Sequence, residues 1–401
     1  MRVDQINLLD LDEFAARGFP HDIFATLRRE APLYRHPEPS GPGFWVISKH
    51  SDVIQVSKRP LVFSSMHGVN MQVLAPEELP MIQTMMLGMD PPRHSKYRRL
   101  VSGGFTPRTI SHLEPHIRQI AHRIVEEVAQ KGECEFVKEV AAELPLQVIA
   151  EFLGVPDEER GRIFHLSNRL IGFDDPEFQT SPEDGKIAAT EMWLYANQLA
   201  KARRVNPRND IVSLLVNAEV EGEKLSELEF NNFFLLLAVA GNETTRNLIS
   251  GGMLALLEHP RELRRLRNDP SLLPTAVEEM LRWVTPVAHF RRTATEDTEI
   301  RGQRIAAGDR VVMFYPSANR DEDVFSDPQH FDIGRTPNDH LAFGIGEHFC
   351  LGSQLARLEI RIMFEELLRQ LPEIELAGPV RRLRSNFING IKSMPVRFSL
   401  D

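Results

Sequence analysis

The sequence has 401 residues, a length that allows one large domain or two to three smaller ones. Hydrophobic residues (AVILMFWYC) make up 42%, which is enough for a large core and too many for a disordered or fibrous chain. Lys and Arg total 47 against 57 Asp and Glu. The resulting net charge of −10 argues against a dedicated nucleic-acid binder.

Cysteine usage and the apolar segments bear on the compartment. Cys134 and Cys350 are too few for a disulfide framework and suit a reducing environment. The first residues lack the apolar core of a signal peptide. The longest apolar run, 233–240, is far shorter than the roughly 20 residues of a bilayer span. We therefore expect a cytoplasmic protein with no membrane span.

Strand patterns are few, and they occur at 44–48, 299–300 and 310–313. Helical periodicity fills most of the remainder, at residues 23–30, 109–130, 188–204, 226–258, 275–283 and 351–370. Strands and helices do not alternate regularly, which argues against a doubly wound nucleotide-binding fold. We predict a mainly α protein with a small β portion. Because no repeat or linker divides the chain, residues 1–401 are expected to form one unit.

The segment 226–258 predicts an unusually long helix. It opens with a capping box, in which Ser226 and Glu229 satisfy each other's backbone donors. A helix of this length runs roughly 50 Å, so its apolar part should cross the core. Within it, Gly241 costs roughly 1 kcal/mol relative to Ala, and Glu243 and Thr244 are polar groups in a buried stretch. Such residues either form a functional site, face solvent, or bond back to the preceding turn.

Cys350 lies in the segment Phe343-Gly-Ile-Gly-Glu-His-Phe-Cys350-Leu-Gly352. Two glycines before the cysteine indicate a tight turn, and an amphipathic helical pattern follows immediately. A cysteine at a helix N-terminus is stabilised as a thiolate by the helix dipole. The alternative is a buried structural cysteine. Zinc is disfavoured, because no second Cys or paired His lies at ligand spacing.

This pattern, Phe-x-x-Gly-x-x-x-Cys-x-Gly with His348 before the cysteine, resembles the haem-binding loop of cytochrome P450 enzymes. The resemblance implies the cytochrome P450 fold, with the long central helix over haem b. It also implies that Cys350 is the axial iron ligand, since these enzymes ligate haem through a Cys thiolate. Phe343 would shield the sulfur, and His348 would contact a haem propionate.

Three further motifs resemble the same family in order and spacing. Thr244 and Glu243 correspond to an acid–alcohol pair that relays protons where the long helix opens locally over the haem. His94 and Arg98, four residues apart, correspond to propionate ligands. Arg292 is the better match for a further propionate ligand, and the adjacent Arg291 stays open as the alternative.

A structural ion-pair network and a pocket also follow from the resemblance. Glu279 and Arg282 would be joined by Arg335, because a guanidinium can bind a buried carboxylate with two parallel bonds. By family position, the apolar residues expected at the substrate are Leu87, Val239, Ala240, Val287, Phe290 and Ile388.

The sequence thus predicts a haem-thiolate monooxygenase that inserts one oxygen atom from O2 into an apolar substrate such as a sterol, terpenoid or fatty acyl chain. Electrons would come from a separate ferredoxin and its NAD(P)H-dependent reductase. Basic residues could form the docking face for an acidic ferredoxin, namely Arg93, Lys96, Arg99 and Arg357. The alternatives are a peroxide-using enzyme or isomerase and a non-enzymatic haem sensor. Thr244 and Glu243 favour the monooxygenase.

Overall fold

Helices carry most of the chain, as the hydrophobic spacing predicts. The computed structural model describes residues 2–39, 41–220, 222–371 and 373–398. The unit predicted for 1–401 includes a few positions outside these ranges, among them the last three residues. The helices are α1 (Leu11–Arg17), α2 (His21–Glu30), α3 (His50–Ser57), α4 (Leu79–Ile82), α5 (Arg93–Ser102), α6 (Pro107–Ala129), α7 (Glu143–Leu153), α8 (Arg160–Ile171), α9 (Pro182–Val205), α10 (Ile211–Asn217), α11 (Glu227–Glu258), α12 (Pro260–Asn268), α13 (Leu273–Val284), α14 (Tyr315–Ala318) and α15 (Ser353–Gln370).

The β portion is small and lies mainly in one mixed sheet. The strands are β1 (Leu33–His36), β2 (Phe44–Ile47), β3 (Phe63–Ser64), β4 (Glu133–Glu135), β5 (Glu219–Val220), β6 (Glu223–Lys224), β7 (His289–Ala294), β8 (Thr298–Ile300), β9 (Gln303–Ile305), β10 (Arg310–Phe314), β11 (Ile374–Leu376), β12 (Arg381–Arg382), β13 (Ile391–Ser393) and β14 (Pro395–Phe398). The largest sheet has the order β1-β2-β10-β7-β3, with β2 and β10 parallel and the other neighbours antiparallel. The mainly α prediction with a minor β portion is confirmed.

Side-chain caps fix where the long helices begin. Thr106 caps α6 and Ser181 caps α9 by accepting backbone N–H groups of the first turn. At α11, Ser226 and Glu229 form the predicted capping box, with the Ser226 N–H donating to Glu229 Oε2 at 2.9 Å. Helix α7 was not predicted, and a π-helical turn at Val137–Ala141 directly precedes it. That turn shifts the hydrophobic spacing away from the regular α period.

Helix α11 joins two halves of the core. Its first half packs Phe230, Phe233 and Phe234 into a cluster with α7, α8 and α9. Its second half, from Leu248 to Leu256, packs into a cluster with α6, α13 and α15. The polar residues 242–247 therefore lie between two apolar clusters, at the middle of the fold. Among the described residues, none of the helices has both the length and the hydropathy that crossing a bilayer requires.

The buried His289 makes the stability of this core depend on pH. The side chain is 0% exposed on β7, and burial, which opposes the charged form, lowers its pKa to about 4. The unfolded chain binds a proton near pH 6.5, so this contribution to stability is complete above that pH and is lost as the pH falls towards 4. Between pH 7.5 and pH 5, we expect the free energy of unfolding of the wild type to fall by about 2 kcal/mol more than that of His289→Asn. Urea unfolding followed by circular dichroism at both pH values measures it. The same substitution at the exposed His112 is the control, and equal pH dependence in both variants would contradict the assignment.

Candidate active site

Cys350 follows a loop that two glycines bend back on itself. Gly344 and Gly346 have φ angles of 68° and 79°, in the left-handed region that favours glycine. A Cβ on Gly346 would also lie 2.7 Å from the carbonyl oxygen of Ser57, so a larger residue cannot fit there. The Cys350 N–H donates to the carbonyl oxygen of Phe343 at 2.9 Å. These constraints fix the position of the thiol.

The surroundings of Cys350 disfavour a bare thiolate. Helix α15 begins at Ser353, so the prediction of a helix starting at 351 is wrong by two residues, because the turn continues through Gly352. Cys350 is half-buried, and burial raises the pKa of its thiol, although the Gly352 N–H and the Arg98 and Arg357 guanidiniums act in the opposite direction. A further cation bound at the sulfur would add to the effects of Gly352, Arg98 and Arg357 and stabilise the thiolate, as in metal-bound cysteines.

Phe343 packs beside this loop. The Arg357 guanidinium lies over the Phe343 ring, 4.6 Å from its centroid, and Glu278 holds the guanidinium with two bonds of 2.7 and 2.8 Å. The Phe349 ring contacts Phe343 edge-on, with centroids 6.4 Å apart. The aromatic ring is thus fixed close to the segment that carries the cysteine.

Part of one face of α11 is exposed although the helix runs through the core. Ala240 is exposed and Thr244, one turn further, is half-buried, whereas the adjacent Ala238 and Asn242 are buried. Leu351, next to Cys350, packs against the core cluster that contains Ala238. This pattern indicates an interior cleft between the middle of α11 and the cysteine loop.

Thr244 faces this cleft from an unbroken helix. Its hydroxyl donates to the carbonyl oxygen of Ala240 at 2.7 Å, which is the bond back to the preceding turn that the sequence left open as an alternative. Helix α11 is continuous from 227 to 258, so the local opening implied by the resemblance does not occur in this structure. Close packing of α11 against α7 explains the glycine at position 241 instead, because a Cβ on Gly241 would lie 2.8 Å from the Ile149 side chain.

Glu243 lies next to Thr244 in sequence but contacts different partners. It is fully buried and forms an ion pair with Arg246, whose guanidinium also donates to Asn168 Oδ1 of α8 at 2.7 Å. The Asn242 amide donates to Glu243 Oε1 at 3.4 Å. Burial raises the pKa of Glu243, and Arg246 partly offsets this effect. The structure therefore directs the carboxyl towards α8.

The predicted cationic residues meet at the cysteine loop. The rings of His94 and His348 lie 4.2 Å apart between centroids, and Arg98 donates to the carbonyl oxygens of Glu347 and Phe349 at 3.3 and 2.6 Å. Burial, together with the nearby Arg292, lowers the pKa of His348 to about 2. The positive charge of the site is therefore carried by Arg98 and Arg292 rather than by the histidines, and the Glu347 carboxylate offsets part of it.

Strand geometry separates Arg291 from Arg292. Adjacent residues of β7 point to opposite faces, and both pair with β10 in register. Arg291 donates to the carbonyl oxygens of His67, Gly68 and Gln72, with the last bond at 2.8 Å. Arg292 is buried and lies close enough to His348 and His94 to lower the pKa of both. The geometry favours Arg292 over Arg291 at the cysteine loop.

Glu279 is the centre of a buried network. Arg282 Nε and Nη2 donate to its two carboxylate oxygens at 2.8 and 2.7 Å, and Arg335 Nε donates at 3.1 Å. Glu279 and Arg282 are 0% exposed. The three residues that the sequence grouped are therefore in direct contact.

The expected pocket residues differ in exposure. Leu87, Val287 and Phe290 are half-buried and Ala240 is exposed, whereas Val239 and Ile388 are buried. Ile388 instead pairs its backbone with Val287 in an isolated bridge.

Five residues at the site were not found from the sequence. Glu347 faces His94 at 3.5 Å and accepts a bond from Ser95, Ser65 Oγ lies 3.3 Å from His348 Nε2, and Asn338 donates to Glu279 at 3.2 Å. Arg246 could have been found from its spacing, because Glu243-Thr-Thr-Arg246 repeats the Glu-x-x-Arg pattern of residues 279–282. Nothing in the sequence signals the other four.

The chain is similar to enzymes of one family over nearly its whole length. The sequence profile of that family, described as cytochrome P450, matches residues 186–376. The chain is 44% identical to a methyl-branched lipid omega-hydroxylase of Mycobacterium bovis, over 99% of this chain and 95% of the relative. It is 45% identical to a steroid C26-monooxygenase of Rhodococcus jostii, over 97% and 84%. A solved Mycobacterium marinum cytochrome P450 in complex with pseudoionone superimposes with a TM-score of 0.92, at 40% identity and 99% coverage of both chains.

The chain belongs to the cytochrome P450 family and is a monooxygenase with a haem-thiolate iron cofactor. The residues of the cleft fit that group. Arg98 and Arg292 donate to backbone carbonyl oxygens, and the carboxylates of Glu347 and Asp90 act on them electrostatically. The anionic propionates of a haem would add direct partners for these two guanidiniums. Cys350 supplies a sulfur where a cation is needed, and the exposed face of α11 leaves room for a flat group.

The Glu279 network gives a direct test of the framework behind the cysteine loop. Glu279→Gln keeps the shape of the side chain but leaves two buried guanidiniums without a countercharge. We expect a loss of about 3–5 kcal/mol in the free energy of unfolding, since breaking a buried ion pair strands the partner charge. Chemical denaturation followed by circular dichroism measures it. Glu375→Gln, which removes an exposed ion pair with Arg397, is the matched control and should cost less than about 1 kcal/mol. Equal losses in the two variants would refute the role of Glu279.

Proposed function

We infer that this chain holds haem b through Cys350 and hydroxylates the terminal carbon of a methyl-branched, apolar substrate. The observation that carries this proposal is the cleft between the exposed face of α11 and the Cys350 loop, with Arg98 bonded to carbonyl oxygens of that loop. The whole chain would act as one catalytic unit. A cytoplasmic location is supported by Cys134 and Cys350, which are both free thiols.

Cys350 would be the axial ligand of the haem iron. The haem-thiolate group, when bound, supplies the activation of O2, and the protein supplies orientation, protons and a dry pocket. Arg98 and the Gly352 N–H both favour the ionised sulfur. Phe343, fixed under Arg357, would exclude water from the sulfur.

His94, Arg98, His348 and Arg292 would hold the two propionates. Arg98 and Arg292 bring fixed positive charge, whereas His348 is neutral and can donate one ring N–H. Arg291 is the weaker candidate, because its guanidinium is already bonded to three carbonyl oxygens.

Thr244 would deliver protons in the cleft. Its Oγ1 holds a proton that is directed to Ala240, and rotation about χ1 would redirect it to a water molecule in the cleft. Glu243 would supply protons only after its carboxyl leaves Arg246, because the ion pair directs it towards α8. Thr244 is thus the primary relay residue and Glu243 the proton source.

The relatives support the substrate class. The methyl-branched lipid omega-hydroxylase and the steroid C26-monooxygenase both act, by their names, at the end of a chain. C26 is a terminal methyl carbon of the branched sterol side chain, so the two reactions share one reacting group. The half-buried Leu87, Val287 and Phe290 would give a narrow apolar pocket suited to such a chain end.

Electrons would come from a ferredoxin and its NAD(P)H-dependent reductase. The docking face suggested by the sequence is weaker than expected, because three of its cations are paired. Arg93 binds Glu229 at 2.7 Å, Lys96 binds Glu223 at 2.7 Å, and Arg357 binds Glu278. These pairs lower the net positive charge that an acidic partner would meet.

The haem ligand is tested by spectroscopy. We expect the protein, reduced with dithionite and exposed to carbon monoxide, to give the strongly red-shifted Soret band of a haem thiolate. Cys350→His should move this band to the position of histidine-ligated haem, and a pyridine haemochrome spectrum should identify haem b. Cys134→Ser, at the other free thiol, is the control and should leave the band unchanged. A band that is the same in Cys350→His and the wild type would overturn the assignment.

The proton relay is tested by coupling. The assay uses NADH, ferredoxin, its reductase and phytanic acid as a methyl-branched probe, and omission of ferredoxin should abolish NADH consumption. We expect Thr244→Ala to lower the fraction of the consumed NADH that is recovered as hydroxylated product by at least tenfold. This is a cautious figure, because a positioned proton-transfer group typically speeds a reaction by about a hundredfold or more. Hydrogen peroxide should accumulate instead. Thr245→Ala, at the adjacent buried threonine, is the matched control. Coupling that is unchanged in Thr244→Ala counts against the relay.

A further inference from the structure

A buried amide in the first half of α11 has an oxygen without a hydrogen-bond partner. Asn232 is 1% exposed, and its Nδ2 donates to Thr84 Oγ1 at 2.6 Å. The Thr84 hydroxyl itself donates to the carbonyl oxygen of Met81 at 2.6 Å. Asn232 Oδ1 is enclosed and meets no donor in the part of the chain that the structure describes. A buried acceptor without a donor is destabilising, so this oxygen is suited to a partner from outside the chain.

The protons of this group fix which way the amide points. A threonine hydroxyl has a single proton, and Thr84 uses it for the Met81 carbonyl oxygen. Thr84 Oγ1 therefore accepts from Asn232, and only the NH2 side of the amide can donate to it. The same nitrogen also contacts the Met81 carbonyl oxygen at 3.5 Å. The amide oxygen must then point away from Thr84, so the group offers a further molecule an acceptor and no donor.

Asn232 belongs to the row of α11 side chains that lines the cleft. Asn232, Leu236, Ala240 and Thr244 follow one another at intervals of four residues, which places them along one ridge of the helix. Leu236 and Thr244 are half-buried, and Ala240 is exposed. Twelve residues of helix separate Asn232 from Thr244, which corresponds to about 18 Å. Asn232 therefore lies at the end of the ridge opposite to the proposed reaction site.

The segment that covers Asn232 also carries a residue expected at the substrate. Thr84 belongs to residues 79–89, which include the half-buried Leu87. Four methionines lie in this segment, and their flexible, unbranched side chains can rearrange around a ligand. The hydrogen bonds of Asn232 join it to Thr84 and to a backbone carbonyl oxygen, not to a charged side chain. A ligand that extends along the ridge would thus meet a neutral acceptor at its far end.

We propose that Asn232 Oδ1 accepts a hydrogen bond from a hydroxyl group of the substrate, at the end opposite to the carbon that is hydroxylated. An alcohol can donate to this oxygen, whereas a ketone of the same skeleton brings a second acceptor against it. A span of about 18 Å along the helix is close to the length of a sterol from its ring hydroxyl to the end of its branched side chain. The site would therefore select hydroxysterols over the matching ketones. This inference rests on the proposed function, because it names the far end of the same substrate.

The test compares a hydroxyl with a ketone on one saturated skeleton. Equilibrium dialysis measures the dissociation constants of radiolabelled cholestanol and cholestanone for the purified protein, and it needs no turnover. We expect the wild type to bind the alcohol about tenfold more tightly, since a buried acceptor that meets another acceptor loses its hydrogen bond. Asn232→Leu should bring the two dissociation constants to within about twofold of each other, chiefly by weakening the binding of the alcohol.

Asn231→Leu is the matched control. Asn231 is also buried and its Oδ1 also lacks a partner, but it lies one position earlier, about 100° around the helix and off the ridge. This variant should keep the preference for the alcohol, and thermal unfolding shows whether both variants are folded. The wild-type comparison depends on neither variant. Equal affinity of the wild type for the two sterols, or a preference that survives Asn232→Leu, would overturn the proposal.

Failure of this proposal is distinguishable from failure of the proposed function. If neither sterol binds while phytanic acid is hydroxylated at the end of its chain, the proposed function stands and the hydroxyl site is refuted. If the purified protein carries no haem, the proposed function fails, and the ratio of the two dissociation constants still decides whether Asn232 selects a hydroxyl.

Discussion

The position of the cysteine loop depends on the buried ion pairs and hydrogen bonds of the Glu279 carboxylate. Its oxygens accept bonds from Arg282, Arg335, Asn338 and the Asp332 N–H, so a single side chain on α13 anchors the segment that leads into the loop. The other guanidinium N–H groups donate to backbone carbonyl oxygens of the same region. A buried ion pair contributes little net stability compared with apolar packing, but its directional bonds permit only one arrangement of that segment.

The cleft presents the opposite electrostatic situation. Arg98 and Arg292 donate to carbonyl oxygens, and the carboxylates of Glu347 and Asp90 favour their charged forms, so their charge is partly compensated. Burial lowers the pKa of Arg292 and His94, because it disfavours the charged forms of both side chains. A fold that pairs Glu279 with two guanidiniums and holds Arg98 and Arg292 through carbonyl oxygens can accept an anionic ligand at those two residues. The two haem propionates match that requirement.

Local motifs predicted a large part of this fold and site. The Cys350 loop, the Ser226 capping box and the grouping of Glu279 with Arg282 could be found because each depends on residues a few positions apart. Contacts between distant segments could not. The prediction that α11 opens near Gly241 was wrong, since Ile149 of α7 supplies a packing reason for the glycine that spacing does not reveal.

Two charged networks of this protein differ in what happens when their charges separate. Around Glu279, the separated guanidiniums would remain in the core, because Arg282 is 0% exposed, and the pair is therefore permanent. Glu177 and Arg381 are each about half exposed, so water solvates both charges once they part. The same chemical interaction thus fixes the cysteine loop in one place and costs little to separate in the other. Solvent access to the separated charges, rather than the distance between the paired atoms, distinguishes the two.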